Sequence, residues 1–183
     1  MTPFGLGWPN VFSILRIILA PILVLLVVSG ADVAAYAAAA LFVFGAATDG
    51  LDGYLARRYD SATPLGQWLD PLADKVLVTA PIVAMTVVGS FPLWAAVVIG
   101  AREFAVSLLR AWLGSRGVAM PASVWGKVKT AVQMILVPLY LLPLGSAADR
   151  FKTVVLVVAV ALTVWSGLDY FLRAGRRVPT SSP

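Results

Sequence analysis

Six apolar stretches alternate with short polar segments along the chain. They cover about residues 11–29, 33–48, 76–89, 92–101, 131–144 and 153–172. Some gain length when the polar residues beside them continue the same helix, and each then approaches the roughly 20 residues that a helix needs to cross a bilayer. The pattern predicts an all-α integral membrane protein with six transmembrane helices.

The chain shows no internal linker and no repeat that aligns, so a single domain is the economical interpretation. Residues 1–10 are uncharged and carry Phe4, Leu6 and Trp8, which predicts a short interfacial segment. A six-helix domain is expected over 11–177, followed by a polar tail over 178–183. The first apolar stretch contains Arg16 and no cleavage pattern follows it, so we expect a resident helix rather than a signal peptide.

The distribution of positive charge predicts the topology, because cytoplasmic loops of membrane proteins collect lysine and arginine. With six spans, the segments expected to share one side carry Arg57, Arg58, Arg116, Lys127, Lys129, Arg173, Arg176 and Arg177. Both termini are therefore predicted to be cytoplasmic, in a bacterial inner membrane.

The composition restricts the chemistry. Hydrophobic residues make up 60% of the chain and charged residues 13%, a balance that excludes an ordinary soluble domain. The chain has no cysteine and no histidine, which excludes disulfides, zinc sites with the usual ligands and imidazole bases. Catalysis would have to use carboxylates, hydroxyls, lysine and arginine.

An acidic segment at the cytoplasmic face is the strongest candidate for that chemistry. If the second helix continues past Thr48, then Asp49, Asp52, Gly53 and Ala56 fall on one helical stripe. Beyond a predicted loop, Gly66, Asp70 and Asp74 repeat every four residues and form a second stripe. Two adjacent antiparallel helices can direct these stripes at each other.

Four clustered carboxylates near a membrane must be neutralised, either by protons or by cations. Two divalent cations would balance their charge, and oxygen ligands favour Mg²⁺ or Mn²⁺. Two-metal carboxylate sites support in-line displacement at phosphorus. The segment therefore predicts a site for a phosphate-bearing substrate at the membrane surface.

The same segment resembles the signature of the CDP-alcohol phosphotransferases, at eight fixed positions between Asp49 and Asp74. The resemblance implies a six-helix membrane enzyme that displaces CMP from a CDP-linked alcohol. It implies that Asp49, Asp52, Asp70 and Asp74 bind two metal ions, with Asp74 also the general base. For the CDP-diacylglycerol donor it implies contacts from Asn10, Ser13, Asp52, Gly53, Ala56, Arg57, Thr63 and Gly66.

Two further segments, 101–110 and 126–134, resemble the fourth and fifth helices of bacterial phosphatidylglycerophosphate synthases. This likeness implies that the acceptor is sn-glycerol 3-phosphate. An anionic acceptor needs cationic contacts. Our candidates for its phosphate are Arg102, Arg110, Lys127 and Lys129.

Several alternatives stay open from the sequence. The acceptor is alternatively inositol phosphate, phosphatidylglycerol or serine, and outside the enzyme class the acids would belong to a small cation or proton transporter. Arg102 is alternatively paired internally with Glu103, and the two lysines alternatively set topology alone. We expect membrane lipids but no nucleic acid as partners. A homodimer and the role of Asp169 are left open.

Overall fold

The computed structural model describes residues 8–59, 64–118, 120–121 and 123–176, and within them it describes no side chain of residues 8–9, 49–59 or 64–68. The described residues are almost entirely helical and form six α-helices joined by short connections. Their bounds are α1 Trp8–Ser29, α2 Asp32–Tyr59, α3 Pro64–Val87, α4 Leu93–Ser115, α5 Val124–Leu141 and α6 Asp149–Gly175, with a 3₁₀ turn at Ser146–Ala148. The prediction of an all-α chain with six helices is confirmed.

Two described helical segments are long and apolar enough to cross a membrane. They are Asn10–Ser29, with a mean hydropathy of 2.9, and Ser146–Gly175, with 2.0. A shorter apolar helical segment covers Asp32–Thr48. Helices α2 to α5 contain the charged residues that the sequence analysis assigns to the metal ions and the substrates. The six-span arrangement therefore stays a prediction.

Two helices carry the acidic stretch, as the sequence predicted. α2 runs without a break from Asp32 to Tyr59, so the predicted continuation past Thr48 is confirmed. α3 begins at Pro64, so the second predicted helix, which carries Gly66 and the two later aspartates, is confirmed. Proline is favoured at the first position of a helix, where its missing N–H is not needed. Gly66, Asp70 and Asp74 consequently lie on one helix with the spacing that the sequence predicted.

The start of the chain differs slightly from expectation. Helix α1 begins at Trp8, whereas the interfacial segment was expected to extend to residue 10. Residues 1–7 and 177–183 lie outside the described residues, and with them the tail predicted over 178–183.

The chain divides into two compact units. The first consists of Met1–Phe91 and Val137–Ala147, and the second of Pro92–Leu136 and Ala148–Pro183. The single domain expected from the sequence stays a prediction.

The first unit is built on α1, which packs against both α2 and α3. Leu19 and Leu23 on α1, Phe42 on α2 and Leu77 on α3 are buried in its core. A Cβ atom at Gly45 of α2 would lie only 3.0 Å from a methyl carbon of Leu77. The missing side chain thus lets α2 approach its neighbours closely, about one turn before the first aspartate of the acidic segment.

The second unit contains α4, α6 and the part of α5 up to Leu136, with α4 and α6 in extensive contact. The buried face of α6 carries mostly small residues, among them Ala159, Ser166 and Gly167. A Cβ atom at Gly167 would lie 3.2 Å from Cγ of Arg102 on α4. The small face of α6 therefore makes room for a long basic side chain.

Candidate active site

Asp70 and Asp74 lie one turn apart on the same face of α3 and form the described part of the acidic site. Each side chain is roughly half-exposed, at 43% for Asp70 and 45% for Asp74. On this side of α3, Ala73 lies between the two acids and Leu77 follows them, and both are buried in the core. The helix therefore holds both carboxylates at the edge of the unit, where a ligand can reach them.

Helix α1 contacts both carboxylates from the protein interior. The Ser13 hydroxyl donates a hydrogen bond to Oδ1 of Asp70. The Arg16 guanidinium forms a hydrogen-bonded ion pair with Oδ1 of Asp74, and its second terminal nitrogen lies 3.9 Å from Oδ1 of Asp70. Arg16 is only 1% exposed. One buried cation thus stands behind two half-exposed acids.

The contact between Arg16 and these acids was missed by the sequence analysis. A signal was present, because a charged residue within an otherwise apolar membrane helix is by default a functional candidate. Arg16 also falls on one stripe with Asn10 and Ser13, both of which are buried. The sequence assigned those two residues to the nucleotide, whereas the described structure brings the Ser13 hydroxyl to a carboxylate.

Most of the predicted nucleotide and metal residues lie where no side chain is described. Their backbone belongs to helices: α2 contains the first two aspartates and the small residues after them, and α3 contains the glycine before Asp70. These residues are Asp49, Asp52, Gly53, Ala56, Arg57 and Gly66. Thr63 lies outside the described residues. Their roles stay predictions.

The carboxylate oxygens that the structure describes are of the kind that binds a hard divalent cation. Asp70 and Asp74 offer carboxylate oxygens on the exposed side, which Mg²⁺ and Mn²⁺ prefer. Among the side chains that the structure describes, no three acidic residues gather into a group that could hold a metal ion. The fit therefore rests on these two carboxylates, and the other two predicted ligands lie among the side chains without description.

Two of the predicted acceptor cations share one carboxylate in the second unit. Lys129 of α5 forms an ion pair with Oε1 of Glu103 on α4, and NH1 of Arg102 lies 3.2 Å from the same oxygen. Lys129 is 5% exposed and Glu103 18%. The internal pairing of Arg102 with Glu103, an alternative left open by the sequence, is thus confirmed. Glu103 is thus a common anion for the buried Lys129 and the partly buried Arg102.

The other two predicted acceptor residues are placed differently. Nε of Arg110 lies 3.4 Å from the Tyr170 hydroxyl, with the guanidinium 5.6 Å from the centre of the Tyr170 ring. Arg102 and Arg110 both contact residues of α6, so they lie on the same face of α4. Lys127 is exposed near the start of α5.

Asp169, which had no role in the sequence analysis, is paired along its own helix. Nε of Arg173, one turn later on α6, donates a 2.8 Å hydrogen bond to Oδ1 of Asp169. Arg173 is about half-exposed. The pair resembles an ordinary surface contact between residues four apart, which is typically weak.

The chain is similar to known proteins over most of its length. A family model described as CDP-alcohol phosphatidyltransferase matches residues 6–165. The chain is 40% identical over 183 residues to the CDP-diacylglycerol–glycerol-3-phosphate 3-phosphatidyltransferase of Pseudomonas fluorescens, covering 94% of this chain and 92% of that relative. It is 37% identical over 189 residues to the Bacillus subtilis protein of the same description, covering 95% of this chain and 98% of that relative.

A third relative is the "Probable phosphatidylglycerophosphate synthase" of Mycobacterium tuberculosis. The identity is 38% over 172 residues, covering 92% of this chain and 82% of the relative. The likeness therefore extends over nearly the whole chain, across both units.

The shared carboxylate of Glu103 generates a stability prediction. Glu103→Gln should lower the free energy of unfolding in detergent micelles by about 3–5 kcal/mol, because it removes the anion that pairs with the buried Lys129 and with Arg102. Thermal or denaturant unfolding of the purified protein measures this. The matched control is Arg173→Gln, which breaks an exposed pair and should cost less than about 1 kcal/mol. If both substitutions lower the free energy of unfolding by the same small amount, the ion pairs of Glu103 do not stabilise the fold as predicted.

Proposed function

The chain belongs to the CDP-alcohol phosphatidyltransferase family, and from that premise we propose that it transfers the phosphatidyl group of CDP-diacylglycerol to sn-glycerol 3-phosphate. The products are phosphatidylglycerophosphate and CMP. The observation that carries the proposal is the identity of 37–40% over nearly the full chain to relatives whose descriptions state this donor and acceptor. Membership in a transferase family also argues against the transporter alternative.

The proposed metal site consists of the four aspartates of the acidic segment. Asp49 and Asp52 on α2 and Asp70 and Asp74 on α3 would hold two Mg²⁺ or Mn²⁺ ions. Supporting this, the two described carboxylates are half-exposed on one helical face. When bound, such ions stabilise negative charge on the attacking and leaving oxygens of an in-line displacement at phosphorus.

The proposed donor site uses the small and polar residues around these acids. Glycine and alanine beside the carboxylates allow a bulky nucleotide to approach the helix backbone. Arginine suits the diphosphate because its planar guanidinium binds phosphate oxygens in pairs. The residues proposed to contact CDP-diacylglycerol are Asn10, Ser13, Asp52, Gly53, Ala56, Arg57, Thr63 and Gly66.

We propose a single displacement as the reaction. Asp74 accepts the proton of the primary hydroxyl of glycerol 3-phosphate. The hydroxyl oxygen then forms a bond to the phosphorus that carries diacylglycerol, and the bond from that phosphorus to CMP breaks. The chain's own contribution is to orient the two substrates and to supply the base.

An apolar groove in the first unit offers a place for an acyl chain. It has a volume of about 420 Å³ and lies between α1 and α3, with Val24, Val28, Val83 and Val87 among its lining. Thr79, also in the lining, is five residues beyond Asp74 on α3. A groove that starts this near the acids suits a donor whose headgroup reacts at the carboxylates while its tail stays in an apolar environment.

We further propose six membrane spans with both termini and the active site at the cytoplasmic face of the bacterial inner membrane. The two long apolar segments and the membrane family support a membrane location. The positive charges between the predicted spans support the orientation. A homodimer stays a prediction.

The acceptor phosphate is proposed to bind Arg102, Arg110, Lys127 and Lys129. Arg110 is the most informative of the four, because it contacts the neutral ring and hydroxyl of Tyr170. Lys129 and Arg102 form ion pairs with Glu103, so substituting either would disturb the fold as well as acceptor binding. Arg110 therefore separates binding from stability best.

An acceptor comparison tests the proposed function. Purified protein in detergent, supplied with labelled CDP-diacylglycerol and Mg²⁺, should release CMP when glycerol 3-phosphate is added and show far less release with inositol phosphate, phosphatidylglycerol or serine. Asp74→Asn is the control for reaction at this site, and should lower the rate about 10²–10⁴-fold through loss of the base. Preference for another acceptor would replace the proposed substrate and keep the chemistry.

The acceptor pocket is tested by kinetics of Arg110→Gln. Loss of one charged hydrogen bond of about 1.5–3 kcal/mol should raise the KM for glycerol 3-phosphate roughly ten- to a hundredfold and leave the KM for CDP-diacylglycerol nearly unchanged. Arg116→Gln is the matched control, since Arg116 is exposed and stacks on Trp112 with 4.0 Å from the guanidinium to the ring centre. If both variants leave the acceptor KM unchanged, Arg110 does not bind the acceptor.

A further inference from the structure

The buried face of α1 is polar in its first half. Asn10, Ser13 and Arg16 are all buried there, and the same face continues into the apolar residues Leu19 and Leu23. A buried arginine is costly for a helix of this apolarity unless its charge is matched. Arg16 meets that cost through contacts to the carboxylates of α3.

Burial shows on which side of the acids the arginine lies. The Arg16 side chain is 1% exposed, whereas Asp70 and Asp74 are 43% and 45% exposed. Ser13 and Arg16 both contact Oδ1 of Asp70. Arg16 also pairs with Oδ1 of Asp74. Helix α1 therefore engages the carboxylates from behind, and a ligand would approach from the exposed side.

The guanidinium of Arg16 faces both acids. Residues four apart on a helix are about 6 Å apart along its axis. The two terminal nitrogens of Arg16 reach one carboxylate each, and the Ser13 hydroxyl adds a closer contact to Asp70. A lysine would offer a single point charge and could not engage both acids with a rigid fork.

We propose that Arg16 is a positioning residue that fixes Asp70 and Asp74 of α3 in the orientation in which they bind a divalent cation, with Ser13 assisting at Asp70. The inference rests on the proposed function, because it requires these aspartates to be metal ligands. Partners that hold a metal's ligands in place typically contribute 10–100-fold to metal affinity. Arg16 would act through the aspartates and without touching either substrate.

Mn²⁺ binding to the full-length protein in detergent micelles tests this, with free Mn²⁺ measured by electron paramagnetic resonance. Arg16→Gln should raise the dissociation constant for Mn²⁺ about 10–100-fold. Arg16→Lys, which keeps the charge and loses the fork, should restore part of the affinity. Ser13→Ala removes one hydrogen bond and no charge, and should weaken binding by a smaller factor.

Arg173→Gln is the matched control, because it also removes an arginine that pairs with an aspartate. That aspartate is Asp169, one turn earlier on α6 in the second unit. It should leave Mn²⁺ affinity unchanged. The unfolding temperature without metal reports any purely structural role of Arg16. A structural residue would lower that temperature and leave the dissociation constant of the folded fraction as it was.

The outcomes separate the inference from the function on which it rests. Wild-type protein that binds no Mn²⁺ would overturn the metal site itself. Wild-type binding together with an Arg16→Gln affinity within threefold of wild type, or tighter, would overturn only the positioning role. If Arg16→Gln does not fold, Arg16→Lys and Ser13→Ala decide, and unchanged affinity in both would overturn the inference.

Discussion

Charge placed in an apolar helical protein must be balanced by other charge, and this constraint determines the surroundings of the acidic site. Asp70 and Asp74 lie on α3 at the edge of the first unit, and the buried Arg16 of α1 provides a positive charge behind them. Helix α1 packs closely against α3. Their contact is polar at the end near the acids and apolar at the other end, around Leu23 and Leu77. Binding chemistry and helix packing are thus connected through one side chain.

The same constraint operates with the opposite sign in the second unit. There the buried Lys129 and the partly buried Arg102 share the carboxylate of Glu103. Cationic side chains favour an anion, while an acidic cluster favours a metal ion. In the proposed reaction the donor and the acceptor each carry phosphate, so metal ions and cationic side chains both suit its substrates.

Much of this arrangement follows from the sequence, and the remainder depends on contacts between helices. Spacing alone placed Gly66, Asp70 and Asp74 on one helix and continued α2 beyond Thr48, because helical periodicity is a local property. The start of α3 at Pro64 also agrees with a local signal, because proline is favoured at the first position of a helix. The partners of Arg16 and Lys129 were not predicted, because periodicity shows which residues share a face and not which neighbouring helix that face meets.

The central claim is that the carboxylates bind metal and accept a proton while one displacement occurs at phosphorus, without a covalent link to the protein. The stereochemical course of the reaction tests it most directly. The substrate would be CDP-diacylglycerol with a chiral thiophosphate at the phosphorus that carries diacylglycerol, and glycerol 3-phosphate would be the acceptor. The account predicts inversion at that phosphorus, as a single in-line displacement requires. Retention would indicate two displacements through a covalent intermediate and would contradict the role assigned to Asp74 as a base.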